Sequence, residues 1–288
     1  AVATLIILVS ATVVQHNINF IEGTWQVYQT DRSEKARLET ALRSEIGFDG
    51  MIHSFKNYVL RHQAIYKQRV TFHVGSAEGI IKQYRSLDLD EAERAALDDL
   101  LIVLNNYVAA AEKVEIMLSQ GRSTTEMDQA VKVDDAPALR ALRTLRAEVI
   151  PSDRPESASK LSKSRLAADL RATLGYGGMI HLYKNYLLRY ENTPNSIYNQ
   201  TMLTNIEKDI QAALDVIAQY QQSGTTSAEK MALEDIENVL AQYQSKTKDI
   251  SLLAQQNMTV NEIDGKVEVD DMLAIRGLKI LDSEIYRQ

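Results

Sequence analysis

One sixteen-residue stretch occurs twice in the chain and constrains every fold open to it. Residues 46–61 read IGFDGMIHSFKNYVLR and residues 174–189 read LGYGGMIHLYKNYLLR. The copies share Gly47/Gly175, Gly50/Gly178, Met51/Met179, Ile52/Ile180, His53/His181, Lys56/Lys184, Asn57/Asn185, Tyr58/Tyr186, Leu60/Leu188 and Arg61/Arg189. The likeness extends in both directions. Upstream, Lys35, Arg37, Leu38, Leu42 and Arg43 recur 128 residues later as Lys163, Arg165, Leu166, Leu170 and Arg171. Downstream the offset is 136, and Gln83-Tyr84, Leu97, Leu104 and Tyr107 recur as Gln219-Tyr220, Leu233, Leu240 and Tyr243. Near the end of each copy, Val131-x-Val133-Asp134-Asp135 matches Val267-x-Val269-Asp270-Asp271. The chain therefore reads as a tandem duplication of a unit of about 120–130 residues.

On a helical wheel Tyr58, Met51, Phe55, Val59 and Ile52 form one apolar arc, and Lys56, His53, Asn57 and Arg61 lie opposite with Leu60 and Gly50. Two glycines in a helix interior would each cost about 0.5–1 kcal/mol relative to alanine, and the usual compensation is close approach of a neighbour. Two readings stand side by side. Gly-x-x-Gly lets another helix pack tightly while the polar stripe meets solvent, or while Arg61 and Arg189 pair with an Asp or Glu of a neighbouring helix. Alternatively, Gly50 and Gly178 make a recess edged by hydrogen-bonding groups. The ligand-binding set on the second reading is Gly50, His53, Lys56, Asn57 and Arg61 with Gly178, His181, Lys184, Asn185 and Arg189. Lysine, arginine and asparagine together suit a small carboxylate or oxyanion.

The remaining sequence is helical in character. Only 12 Gly and 4 Pro interrupt 288 residues, and no alternating strand pattern of useful length appears. The expected fold is all-α, with two tandem four-helix-bundle modules. The first helix is expected over Ser33–Tyr66 and Ser159–Tyr190, the second over Val74–Leu87 and Ser196–Ser223. Asp90 and Thr226 or Ser227 cap the third. A loop holding Thr124 to Asp128, matched by Thr259 to Asp264, follows, and Asp135 and Asp271 cap a last short helix. An insertion around Glu191–Ser196 breaks the second copy after its motif, while the first copy bends near Gly75. Residues 1–32 are expected to hold the end of a transmembrane segment and a connecting helix, with a signal-peptide core or a buried terminal helix as the alternatives, 33–149 the first module, 150–159 a proline-containing linker and 160–288 the second module. The basis for the membrane segment is that residues 1–14, AVATLIILVSATVV, carry no charge.

A net charge of −7 without a basic aromatic cluster argues against nucleic-acid binding. The absence of cysteine excludes disulfides and thiolate metal sites. No phosphate loop, dinucleotide fingerprint or nucleophile elbow is present, and the five histidines form no helical metal pair. Neither an enzyme nor a cofactor is expected. A charge-free segment leading into tandem helical units resembles the extracytoplasmic all-helical sensor regions of bacterial transmembrane receptors: chemoreceptors, sensor histidine kinases and diguanylate cyclases. The Gly-[Phe/Tyr]-x-Gly-Met-Ile-His-x-[Phe/Tyr]-Lys-Asn-Tyr stretch is similar to a motif of such receptors. The resemblance implies sensing of a small molecule or partner protein outside the cytoplasm, anchorage in the inner membrane through the N-terminal segment, and a parallel homodimer. The alternatives are a docking surface for a periplasmic binding protein and a structural helical spacer.

Overall fold

The computed structural model describes residues 33–149, 158–190 and 196–287. The transmembrane and connecting segment expected over 1–32 lies outside them, as does most of the linker and of the insertion. The described residues are all helical, with no strand among them, and none of their helices is long and apolar enough to cross a membrane.

Six helices in the first half recur in the same order in the second. The first half holds α1 (33–46), α2 (Met51–Arg61), α3 (Ala64–Tyr84), α4 (Glu91–Ser119), α5 (Thr124–Ala130) and α6 (Ala136–Val149). The second holds α7 (Ala158–Leu174), α8 (Met179–Arg189), α9 (Ile197–Gln222), α10 (Ser227–Gln255), α11 (Val260–Val267) and α12 (Met272–Arg287). The long helices α4 and α10 begin as expected. Asp90 accepts from the Glu93 N–H while Glu93 reaches back to the Asp90 N–H, and Thr226 with Glu229 repeats the arrangement. Each capping glutamate also takes a lysine of the opening helix, Lys35 to Glu93 at 2.8 Å and Lys163 to Glu229 at 2.8 Å. One apolar core runs through both halves, and Phe55 against Tyr107 at 5.0 Å is matched by Tyr183 against Tyr243 at 4.8 Å.

Several boundaries differ from the expectation. The opening helix is not continuous: it breaks at 47–50 and 175–178, so Gly50 and Gly178 are N-caps of α2 and α8 and not helix-interior residues. Their backbone angles suit any residue, but their space does not. A Cβ at Gly50 would sit 2.3 Å from the Glu45 carbonyl oxygen, and one at Gly178 would sit 2.1 Å from that of Thr173. The first copy next breaks at His62, left-handed at φ 60°, and Gly75 lies inside an unbroken α3. The stretch expected as a loop after α4 is the short helix α5, capped by Ser123 with Glu126, and its counterpart α11 is capped by Thr259 with Glu262. The side chains that cap α6 and α12 are Asp134 and Asp270, each accepting at 3.0 Å from the N–H two residues on. Asp135 and Asp271 turn inward. The linker expected to reach residue 159 ends earlier, since α7 starts at Ala158.

Candidate functional site

The two copies of the repeated stretch meet at the centre of the molecule. Gly47 and Gly175 face each other there, for a Cβ on either would lie within 3.3 Å of the other's Cα. Bare backbone at both positions lets the chains approach, and α2 packs beside α8. The stripe read as solvated is enclosed: every residue from Met51 to Leu60 is buried, including His53, Lys56 and Asn57. His181 and Lys184 are buried likewise, while Asn185, Arg61 and Arg189 are partly exposed.

The histidines tie the break to the opposite half. Asp49 (φ 61°) and Gly177 (φ 75°) occupy the left-handed position of the matched turns. Their N–H groups donate to Nδ1 of His53 at 3.3 Å and of His181 at 3.2 Å. An Nδ1 that accepts leaves the proton on Nε2, which points across the interface: His53 to Asp271 at 3.3 Å and His181 to Asp135 at 3.4 Å. Burial, with the Lys184 charge for His53 and the Lys56 charge for His181, lowers the imidazoles to about 3 and about 4. These contacts are thus close approaches of neutral rings to carboxylates and not ion pairs. Asp135 also accepts from the hydroxyls of Tyr107 at 2.6 Å and Tyr176 at 2.5 Å. Asp271 accepts from Tyr243 at 2.6 Å, and Phe48 stands where a second tyrosine would.

The cations form a reciprocal pair of clamps. Asp128 on α5 takes Arg189 of the other half at 2.6 Å, with Lys56 of its own half at 3.5 Å. Asp264 on α11 takes Arg61 of the other half at 2.8 Å, with Lys184 of its own half at 3.4 Å. Arg61 extends to Glu268 at 2.7 Å and to the Tyr66 hydroxyl at 3.1 Å. Burial pulls Lys56 down to about 8 against the opposing charge of Asp128, and burial lowers Lys184 too. For both aspartates burial acts upward, but the arginine and lysine partners outweigh it and hold the carboxyls below their usual range. With Asp135 and Asp271 included, each cluster sets two cations against two inner carboxylates, and the exposed Glu268 adds a third beside Arg61. This balance meets the requirement that buried charges be paired.

Asn57 and Asn185 differ from their neighbours, since neither side-chain oxygen has a hydrogen-bond partner. Among the described residues no group of three or more His, Asp or Glu could hold a metal ion. Arg61 and Arg189 are therefore brought together with aspartates that sequence reasoning did not select. A signal for them existed: the stripes carry four cations that repeat, and the aspartates at 128/264 and 135/271 repeat with them. Compared with known protein families, curated proteins and solved structures, the chain shows no match.

Proposed function

We propose that the chain is the extracytoplasmic sensing region of a bacterial transmembrane signalling receptor. In this reading it consists of two four-helix-bundle modules that arose by tandem duplication. In each, the broken α1–α2 or α7–α8 arm packs with the two longer helices and the last helix. The modules bind a small anionic ligand and pass a helix displacement across the membrane, with no enzymatic step.

The observation supporting this reading is the swapped pair of arginine clamps. Asp128 and Asp264 are carboxylates held by an arginine and a lysine, the chemistry that would hold a free carboxylate or oxyanion. A ligand acts by competing with these internal carboxylates, and displacing one releases a contact between the halves. An amino acid or hydroxy acid would also offer a donor to the unpartnered oxygen of Asn57 or Asn185. Ligand binding can drive such a change only through different affinity for the two packings.

The test is a thermal-shift comparison of the wild type and Asp264→Ala against acetate, amino acids, phosphate and sulfate. A ligand at 100 times its dissociation constant adds about 2.7 kcal/mol of stability. An anion that stabilises the variant more than the wild type places the ligand at Arg61 and Lys184. If no anion stabilises either protein, the reading fails. A second reading, a docking surface for a periplasmic binding protein, draws on Ile65 and Phe72, exposed apolar residues seven apart and so on one face of α3. Loss of signalling in Phe72→Glu, with anion stabilisation intact, would favour it.

A further inference from the structure

A cleft of about 430 Å³ opens between α1 and α12, just upstream of the first copy of the repeated stretch. Its walls are Arg37, Thr40, Ala41, Ser44 and Glu45 of the first half and Asp282 of the second. This size falls within the range of small-molecule sites. The matching seam, between α6 and α7, is closed by an ion pair. Counterparts follow from the offsets of 128 for α1 and 136 for α6, so Ala41 corresponds to Asp169 and Asp282 to Arg146. Arg146 and Asp169 form an ion pair that bridges the closed seam.

At the open seam both members of that bridge are gone. A methyl replaces the aspartate and a carboxylate replaces the arginine. The remaining wall changes in one direction, toward acceptors. Thr40 and Ser44 stand where the closed seam has Ala168 and Ala172, and Glu45 stands where it has Thr173. The positive charge in the wall is already committed, since Arg37 binds Glu34 through two hydrogen bonds, at 2.8 and 2.6 Å. The carboxylates are each held from one side. His73 meets Oε2 of Glu45 at 2.8 Å, and Arg171 meets Oδ2 of Asp282 at 2.5 Å.

We propose that this cleft binds a small organic cation, an amine of diaminoalkane size held between Glu45 and Asp282 with the Thr40 and Ser44 hydroxyls as further acceptors. The site is separate from the arginine clamps and its ligand is of opposite charge, so it stands or falls independently of the proposed anion sensing. In receptor terms it places a second input on a seam between the halves.

The experiment is calorimetric titration of the full chain with putrescine, repeated on a variant carrying Ala41→Asp and Asp282→Arg. That variant transplants the Arg146–Asp169 ion pair; because it also takes the carboxylate from Arg171, its fold is checked by circular dichroism before titration. The expected result is saturable one-site binding to the wild type, weakened more than about tenfold in the folded double variant. Should the double variant not fold, Glu45→Gln at its partly exposed site is expected to show the same loss. Absence of saturable binding of putrescine, ethanolamine and lysine at millimolar concentration would overturn the proposal. So would putrescine affinity that survives in a folded variant, or binding of acetate in preference to the amines.

Discussion

Asp135 and Asp271 occupy the same position in the two halves, yet one accepts from two tyrosine hydroxyls and the other from one. The difference traces to one oxygen atom. Tyr176 places a hydroxyl on Asp135, whereas its counterpart Phe48 packs near His53 with ring centroids 5.6 Å apart and offers Asp271 nothing. Burial then dominates at Asp271 and pushes its carboxyl up to about 6, despite the Tyr243 hydrogen bond and the Lys184 charge. Two nearly identical frameworks can therefore hold one firmly anchored carboxylate and one that titrates near neutrality.

The largest effects come from cutting the clamps on which both frameworks depend. Arg189→Ala leaves Asp128 buried with Lys56 alone, and a loss of about 3–5 kcal/mol is expected from urea unfolding. Arg61→Ala should cost a similar amount at Asp264. Adding Asp128→Ala to Arg189→Ala should recover part of the loss, and strict additivity in that cycle would mean that the pair is not coupled.

Acid sharpens the comparison next. His53 and His181 stay neutral in the fold while unfolded imidazoles take up protons near pH 6.5, so both withdraw stability as pH falls from 6.5 toward about 4. Asp271 acts in the opposite sense. Raised in the fold, it binds its proton at about pH 6, where the unfolded carboxyl has released it, and so adds stability as pH falls toward 4. Asp209, raised by burial to about 6, acts in the same sense as Asp271, so two groups oppose two and the net loss between pH 7 and pH 5 should be on the order of 1–2 kcal/mol. Asp271→Asn removes one offset and should deepen the loss by about 1 kcal/mol, measured by denaturant titration at both pH values. A smaller loss in the variant would show that Asp271 does not titrate in this range.

The smallest change exchanges the oxygen itself. Phe48→Tyr should supply the missing donor, add about 1 kcal/mol and move the Asp271 carboxyl downward in a carbon-13 NMR titration. Tyr176→Phe should cost about the same amount by removing a donor from Asp135. If Phe48→Tyr leaves the Asp271 titration in place, the hydroxyl is not what separates the two centres.

Much of this was legible in the sequence because it is local. The capping pairs Asp90/Glu93 and Thr226/Glu229 need only three residues, and the core positions of α4 and α10 follow from helical spacing. The break at Gly47–Gly50 was not legible. A helical wheel assumes an unbroken helix, whereas the clash that requires Gly50 is with a carbonyl of the preceding helix after the chain has turned. The polar stripe was recognised as unusual, with acidic partners among the readings for Arg61 and Arg189, but the partner itself was not legible, since Arg61 meets Asp264 203 residues away. Only the matched offsets of the aspartates pointed to partners at that distance.

The crossing of the arginines carries a further consequence. Arg61 of the first half binds Asp264 of the second, and Arg189 of the second binds Asp128 of the first, as residue i meets j and j meets i in an isologous two-fold contact. A single unit standing alone would carry both the arginine and the aspartate, with neither satisfied, until it met another copy of itself. The two halves of this chain thus behave as the subunits of a homodimer written into one polypeptide. Within one chain each position can differ from its counterpart, as Phe48 differs from Tyr176.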